Sequence, residues 1–178
     1  MRRVELLKEE ILFEKYGKKW LKRDFRLPDE EVASFYCFGG SVSVIVFPLT
    51  KDNEVVAIEQ FRFGANRMLI EIPGGNKGDS TSEDCAIKEL AEETGYVPRK
   101  IHIFKEVWID PASVTVPFIP ALATGCKKTN KTSFDRMEVI CKTVLIPLKK
   151  WQDMILTGEI NDSKTIATTF LALRHLGL

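Results

Sequence analysis

The segment Gly74–Tyr96 constrains the fold of this chain more than any other, because it joins a glycine pair directly to a well-bounded helix. Ser80 and Thr81 are both of the residue types that cap helix N-termini, and each is followed three residues later by an acidic residue that could complete a capping box. Gly95 suits the left-handed residue that ends a helix. The sequence therefore predicts a glycine turn followed by a helix over residues 81–94.

Three carboxylates on this predicted helix share one face. Glu89, Glu92 and Glu93 have the spacing i, i+3 and i+4, which brings their side chains to the same side of the helix. Lys88, four residues before Glu92, is the nearby basic residue that can relieve their repulsion. The opposite side of the helix is expected to pack inward, and it carries Ile87, Leu90, Ala91 and Thr94.

The clustered negative charge has two interpretations. Carboxylate oxygens favour hard cations, so Glu89, Glu92 and Glu93 together indicate a site for Mg²⁺, with Mn²⁺ as an alternative. The other interpretation is an acidic helix face that simply contacts water, which is what most charge runs do. The glycine turn in front of the helix favours the metal site, since backbone without side chains can approach an ion closely.

The same segment resembles the Nudix box, G-x5-E-x7-R-E-U-x-E-E-x-G-U, in which U is a bulky apolar residue. The run Glu89–Tyr96 fits the second half of this pattern position by position, and Gly74 fits its first glycine. Two positions depart from it: Ser80 stands where the pattern has its first glutamate, and Lys88 stands where it has an arginine. The chain is therefore identified as a member of the Nudix superfamily, similar to its ADP-ribose pyrophosphatase branch.

The resemblance implies an enzyme and a set of metal ligands. It implies Mg²⁺-dependent hydrolysis of the pyrophosphate bond in a nucleotide-derived small molecule, such as ADP-ribose or a nucleotide sugar. It implies that Glu89, Glu92, Glu93 and the Gly74 carbonyl bind the metal, and that Glu92 and Glu93 are catalytic. Lysine supplies the charge of the missing arginine but not its planar fork, so Lys88 is expected to affect rate more than fold.

Three further site residues are expected, the first two of them from the same branch. Its general base is an acidic residue in a late loop, where Asp135 aligns better than Glu138. Its E-Q-x-R strand corresponds to the segment ending at Arg62, which is expected to contact substrate phosphate or ribose. Glu71, just before the glycine turn, is expected at the substrate site, either paired with Arg67 or near the metal.

A second function remains open at this point. The branch has a glutamate in a loop that corresponds to residues 110–116, and this chain lacks it there. Together with Ser80 and Lys88, this difference is compatible with a non-catalytic Nudix-fold module that binds a nucleotide without cleaving it. Substrate turnover and ligand binding without product distinguish the two.

Composition excludes several other classes of protein. The chain has 178 residues and a formal net charge of +1, so it has no bulk attraction for nucleic acid. Its sequence contains no apolar run long enough for a membrane span. Its four cysteines, Cys37, Cys85, Cys126 and Cys141, have no C-x-x-C spacing and are expected to be reduced thiols of a cytoplasmic protein.

The predicted fold class is α+β, an α/β/α sandwich of Nudix type with a mixed sheet and an N-terminal antiparallel β extension. Residues 1–40 are expected to form the extension, and residues 41–178 the Nudix domain. The extension is rich in aromatic residues such as Trp20, and the resemblance implies that it pairs with a second copy in a homodimer.

Four local predictions matter below. Residues 1–12 are expected to form a short helix or a frayed lead-in. Segments 100–110 and 114–124 are expected to be two strands. The last helix, over residues 164–176, is expected to bury a stripe made of Ile166, Phe170, Leu171 and Leu173. His102 and His175 have no ligand partner at a useful spacing and are interpreted as structural.

Overall fold

The computed structural model describes residues 3–129 and 142–178, and the chain within it divides into two units. The first unit comprises Met1–Val42 and Trp108–Pro117. The second comprises Ser43–Val107 and Phe118–Leu178. The predicted α+β class is confirmed, since both units contain strands and the second also contains helices.

The first unit is built on a three-stranded antiparallel sheet. Its strands are β1 (Glu5–Lys15), β2 (Lys18–Arg26) and β3 (Val32–Gly39), in the order β1-β2-β3. The chain turns between β2 and β3, where the Leu27 N–H donates to the Glu31 carbonyl at 2.8 Å. The expectation of a helix or frayed lead-in at residues 1–12 is wrong for residues 5–12, which pair with β2 as part of an extended strand.

The second unit contains a mixed sheet. Its strands are β4 (Ser43–Thr50), β5 (Glu54–Arg62), β6 (Arg67–Glu71), β7 (Gly74–Asn76), β8 (Tyr96–Val97), β9 (Lys100–Ile103), β10 (Phe118–Lys128) and β11 (Lys142–Pro147). The main order is β11-β5-β4-β10-β8, with β6, β7 and β9 added to β5, β4 and β10. Only the β4–β10 pairing is parallel among the described ladders, which makes the sheet mixed.

Helices cover both faces of this sheet. The helices are α1 (Ser82–Thr94), α2 (Leu148–Leu156) and α3 (Ser163–Leu176). Alternate residues of β4 point to opposite sides: Val44 and Val46 pack in one core with α1, while Phe47 packs in the other with α2 and α3. The predicted α/β/α sandwich is confirmed by these two cores. No helix in the described part of the chain is both long enough and apolar enough to span a bilayer.

The strand prediction after α1 was partly wrong. The regular strands are shorter and shifted, as β9 ends at Ile103 and β10 begins at Phe118. Between them, Asp110 forms a turn whose carbonyl accepts the N–H groups of Ser113 and Val114. A proline at position 111 favours such a turn over an extended strand.

The predicted inward faces of two helices are partly wrong: Leu90 and Thr94 are buried and Leu173 packs against the core as expected, but other members differ. Phe170 is 62% exposed, and α3 instead buries Thr165, Thr168, Thr169 and Ala172. On α1, Ile87 is exposed, and the buried residues are Cys85, Ala86, Leu90, Glu93 and Thr94. Both differences have one cause. Apolar character alone does not identify the face of a helix that packs, because close approach to the sheet favours small and hydrogen-bonding side chains.

Candidate active site

The glycine turn is a short strand that requires the absence of a side chain. Gly74 and Gly75 in β7 pair with Ile45 and Val44 of β4. A Cβ on Gly74 would overlap the Val44 carbonyl oxygen and would approach Ile45 Cδ1 to 2.8 Å. Backbone atoms cannot yield to such a contact, so the pairing with β4 depends on glycine.

Gly75 accommodates the first glutamate of the helix. A Cβ on Gly75 would overlap the carboxylate of Glu89, approaching its Oε1 to 2.6 Å. The Glu89 carboxylate therefore lies directly against the Cα of Gly75. This contact brings a carboxylate and the bare backbone of the turn to the same place, as the sequence predicted.

Glu93 is the glutamate that ties the helix to the turn. Glu93 is buried, and its Oε2 accepts a hydrogen bond from the Gly74 N–H at 2.9 Å. The helix is held in position at both ends, since Thr81 caps its start and Gly95 ends it with φ 73°. This hydrogen bond fixes the Glu93 carboxylate against the backbone of the turn.

Glu92 lies at the more exposed edge of the same cluster. Lys88 Nζ is 3.3 Å from Glu92 Oε2 and 3.8 Å from Glu89 Oε1. The hydrogen bond with Glu92 is the main cause that raises the pKa of Lys88. Lys88 thus neutralises part of the acidic face. Ser80 does not cap the helix, because its hydroxyl donates to the Lys77 carbonyl at 2.5 Å within the loop.

Arg62 and Glu71 form a forked ion pair beside the turn. Arg62 Nε lies 2.9 Å from Glu71 Oε1, and Nη2 lies 2.5 Å from Oε2. Glu71 is almost fully buried, whereas the Arg62 side chain is 45% exposed. Hydrogen bonding to Glu71 is the main cause that raises the pKa of Arg62, and Glu93 and Asp162 add to it. Glu71 therefore pairs with Arg62 and not with Arg67.

The structure brings most of the expected site residues together. Gly74, Glu89 and Glu93 converge at the turn, Glu92 flanks them, and the Arg62–Glu71 pair follows on the adjoining strands. Among the described residues, no three Asp, Glu, His or Cys side chains converge in the arrangement that encloses a metal ion. The donor set itself, carboxylates beside a bare backbone, fits a hard cation such as Mg²⁺. Asp135, the expected base, lies outside the described residues, as does Glu138.

Residues near the site that the sequence did not reveal come from α3. Asp162 caps this helix by accepting the Thr165 N–H at 2.8 Å, and the Thr165 hydroxyl accepts the Ile72 N–H at 3.3 Å. The cap at Asp162 is local and can be read from the sequence, but the contact with Ile72 cannot, because Ile72 and Thr165 are far apart along the chain. Elsewhere, the rings of His102 and His175 stack with centroids 4.1 Å apart, so these histidines pack on each other.

Comparison with known proteins decides the family. The model of the NUDIX domain matches residues 40–167, which is most of the chain. The chain belongs to the Nudix family. The predicted recognition and enzyme class, a Nudix hydrolase acting on nucleoside diphosphate derivatives, are confirmed by this match and by the relatives described next.

Relatives and solved structures agree with this assignment. The chain is 29% identical over 187 residues to GDP-mannose pyrophosphatase of Escherichia coli strain K12, and it is 28% identical to that of Shigella flexneri serotype 5b. Each alignment covers 97% of both proteins. A solved structure described as an ADP compounds hydrolase superposes with a TM-score of 0.84 at 14% identity, covering 99% of this chain and 96% of that one. This last likeness supports the fold.

Proposed function

We propose that this Nudix protein hydrolyses the pyrophosphate bond of a nucleotide sugar in the presence of Mg²⁺, giving a nucleoside monophosphate and a sugar phosphate. The observation that carries the proposal is the contact of two helix carboxylates with the glycine turn: Glu93 at the Gly74 amide and Glu89 against Gly75. The relatives aligned over 97% of their length favour GDP-mannose as the first substrate to test, before ADP-ribose.

The chain's own residues would divide the work as follows. Glu89, Glu92, Glu93 and the Gly74 carbonyl would hold Mg²⁺. When bound, the ion supplies charge neutralisation of the diphosphate and a more acidic water. Glu93 is buried and fixed by Gly74, which suits it to hold one geometry. Glu92 is more exposed and lies at the solvent side of the cluster. Asp135 remains the proposed base.

Arg62 would orient the substrate. A guanidinium carries five N–H donors, and the contacts with Glu71 use its Nε and Nη2. Glu71 thereby fixes the guanidinium plane from the buried side, while the other side stays accessible at 45% exposure. A fixed, half-exposed guanidinium is suited to bind a phosphate in a forked geometry.

The test is product formation by the purified protein. We expect GMP and mannose 1-phosphate from GDP-mannose when Mg²⁺ is present, and none after chelation. ADP-ribose and UDP-sugars should be compared at equal concentration, and Mn²⁺ should replace Mg²⁺ in a parallel series. Absence of turnover on every substrate with either ion would exclude the proposal. Calorimetric binding of a nucleotide without product would instead establish the non-catalytic module.

We also propose that the first unit mediates homodimer formation. Every residue of β1 is exposed, and this edge strand pairs only with β2 among the described strands. The sheet also exposes Leu6, Ile11, Phe13, Tyr16, Trp20, Phe35 and Tyr36. An apolar surface on an open sheet edge favours association. Light scattering should give twice the chain mass, and Phe13→Glu should shift it toward the monomer; a monomeric wild-type protein would exclude the proposal.

A cytoplasmic location remains a prediction. The three cysteines in the described residues, Cys37, Cys85 and Cys126, are all unpaired and buried. Unpaired thiols are typical of proteins in a reducing compartment. Cys141 lies outside the described residues.

A further inference from the structure

The buried face of α3 is unusually polar. Thr165, Thr168 and Thr169 are 1%, 0% and 2% exposed, so their hydroxyls cannot rely on bulk water. Buried hydroxyls normally have hydrogen-bond partners, because leaving one unpaired is costly. Each of the three threonine hydroxyls is therefore expected to have a hydrogen-bond partner within the protein.

The three hydroxyls differ in their hydrogen bonding. Thr169 Oγ1 accepts a hydrogen bond from Trp151 Nε1 at 3.1 Å, which joins α3 to α2. Thr168 Oγ1 is buried and has no hydrogen-bond partner among the described residues. Thr165 Oγ1 accepts the backbone N–H of Ile72 at 3.3 Å. Of the two hydrogen bonds, only the one at Thr165 reaches the backbone next to the glycine turn.

Ile72 occupies a critical point in the chain. It lies between Glu71, which ends β6, and Gly74, which begins β7. Its neighbour Pro73 has no N–H to donate, although the Pro73 carbonyl accepts the Val46 N–H at 2.8 Å. The Ile72 amide is thus a donor close to both the Arg62–Glu71 pair and the turn, and Thr165 is its partner.

Thr165 is itself held rigidly. Asp162 accepts the Thr165 N–H at 2.8 Å and caps α3. A threonine in a helix divides mainly between two χ1 rotamers, and the hydrogen bond from the Ile72 N–H favours one of them. The path from the helix cap to the site is continuous: Asp162 holds Thr165, Thr165 holds Ile72, and two residues later Gly74 is held by Glu93.

We propose that Thr165 is a positioning residue for hydrolysis, whose hydroxyl fixes the backbone at Ile72 and thereby the place of the Gly74 carbonyl and of the Glu71 carboxylate. This inference rests on the proposed function. Thr165 acts through the turn and touches neither substrate nor metal. Loss of the Thr165 hydroxyl should therefore lower kcat and raise the half-saturating Mg²⁺ concentration, with a smaller effect on the affinity for substrate.

The experiment compares three variants. Thr165→Val removes the acceptor and keeps the shape, Thr165→Ser keeps the acceptor, and Thr168→Val removes the unpartnered hydroxyl one turn along the same face. We expect Thr165→Val to lower kcat by about 10-fold and to raise the half-saturating Mg²⁺ concentration by a similar factor, the usual scale for outer-shell support. Thr165→Ser should restore both values to within about 3-fold, and Thr168→Val should match the wild type.

A second readout does not depend on activity. The Ile72 amide of the wild-type protein should exchange with deuterium as slowly as the strand amide of Val46, and Thr165→Val should accelerate exchange at Ile72 while Thr168→Val does not. Fast exchange at Ile72 in the wild type would overturn the positioning role, even if Thr165→Val failed to fold. Equal loss of kcat in Thr165→Val and Thr168→Val, or no rescue by serine, would also overturn it. If the wild type hydrolyses none of the substrates, the proposed function fails, whereas the exchange measurement still decides whether Thr165 holds the turn.

Discussion

The Gly74 N–H donates a hydrogen bond to Glu93 Oε2 at 2.9 Å, which ties the last turn of the acidic helix α1 to the backbone of the glycine turn. Glu93 is buried, so this bond satisfies a carboxylate that water reaches only slightly. The same peptide is also held through its carbonyl, because the Pro73 oxygen accepts the Val46 N–H at 2.8 Å. Charge and geometry at the site are therefore coupled through one side chain.

Replacement of Glu93 by glutamine separates these two roles. Glu93→Gln keeps an oxygen that can accept the Gly74 N–H but removes the negative charge. We expect kcat to fall by about 10²-fold or more, the scale of losing one group that acts in the transition state, with a Tm close to the wild type. Steady-state kinetics with GDP-mannose and a thermal melt check this. A wild-type kcat in this variant would show that Glu93 does not take part in catalysis.

The two glycines of the turn should respond differently to alanine. In Gly75→Ala the new Cβ meets the Glu89 side chain, which can move away, so activity should fall while the protein stays folded. In Gly74→Ala it meets the Val44 carbonyl, so the β4–β7 pairing should break and stability should fall by about 1–3 kcal/mol. Urea unfolding and activity assays separate the two effects. Similar stability losses in both variants would contradict this reading of the turn.

The Arg62–Glu71 pair should contribute more to stability than an exposed pair of similar length. Arg62→Ala leaves the buried Glu71 carboxylate without its forked partner, which should cost about 1–3 kcal/mol, near the lower end because Arg62 is 45% exposed. The control is the exposed pair Arg23–Glu9, at 2.7 Å, for which we expect about 0–1 kcal/mol. Double-mutant cycles by urea unfolding give both coupling energies. Equal couplings would show that burial of Glu71 adds nothing.

Alkaline pH should destabilise the protein through Cys126. Burial raises the pKa of this thiol from 9.0 to about 12 in the folded protein. Between these values the unfolded chain loses the proton while the folded one retains it, so the contribution is fully present below pH 9.0 and is lost as pH rises through about 12. The slope should be about 1.4 kcal/mol per pH unit.

The matched variant for this effect is Cys126→Ala, which lacks the titrating group. Its free energy of unfolding should fall less steeply than that of the wild type between pH 9 and pH 11, although Cys85, whose pKa burial also raises, remains. Urea unfolding at several pH values measures both slopes. Parallel curves for the two proteins would show that Cys126 does not titrate differently on folding.

Local chemistry made several features predictable from the sequence. The start of α1 at Thr81 and its end at Gly95 follow from side-chain capping and from a left-handed glycine, which act within a few residues. That Glu89 and Glu93 share one face of α1 also follows, because helical spacing is a local property.

Other features depended on partners that are distant in sequence. Glu71 was expected beside Arg67 or the metal, yet the β5–β6 pairing delivers it to Arg62. His102 and His175 have no sequence relation, and the docking of α3 stacks their rings. In each case the contact is between side chains of two different elements, and the way those elements pack determines which side chains meet.

The sequence by itself determined where the acidic helix begins and ends, that a glycine turn precedes it, and that three carboxylates share its face, because capping, left-handed glycine and helical periodicity are short-range. Only the tertiary structure decided that Glu93 turns inward to Gly74, that Thr165 holds Ile72, and that α3 buries threonines while Phe170 faces solvent. The reason is physical: a helix packs with the face that fits closest and satisfies buried hydrogen bonds, and that face is defined by the surface it meets.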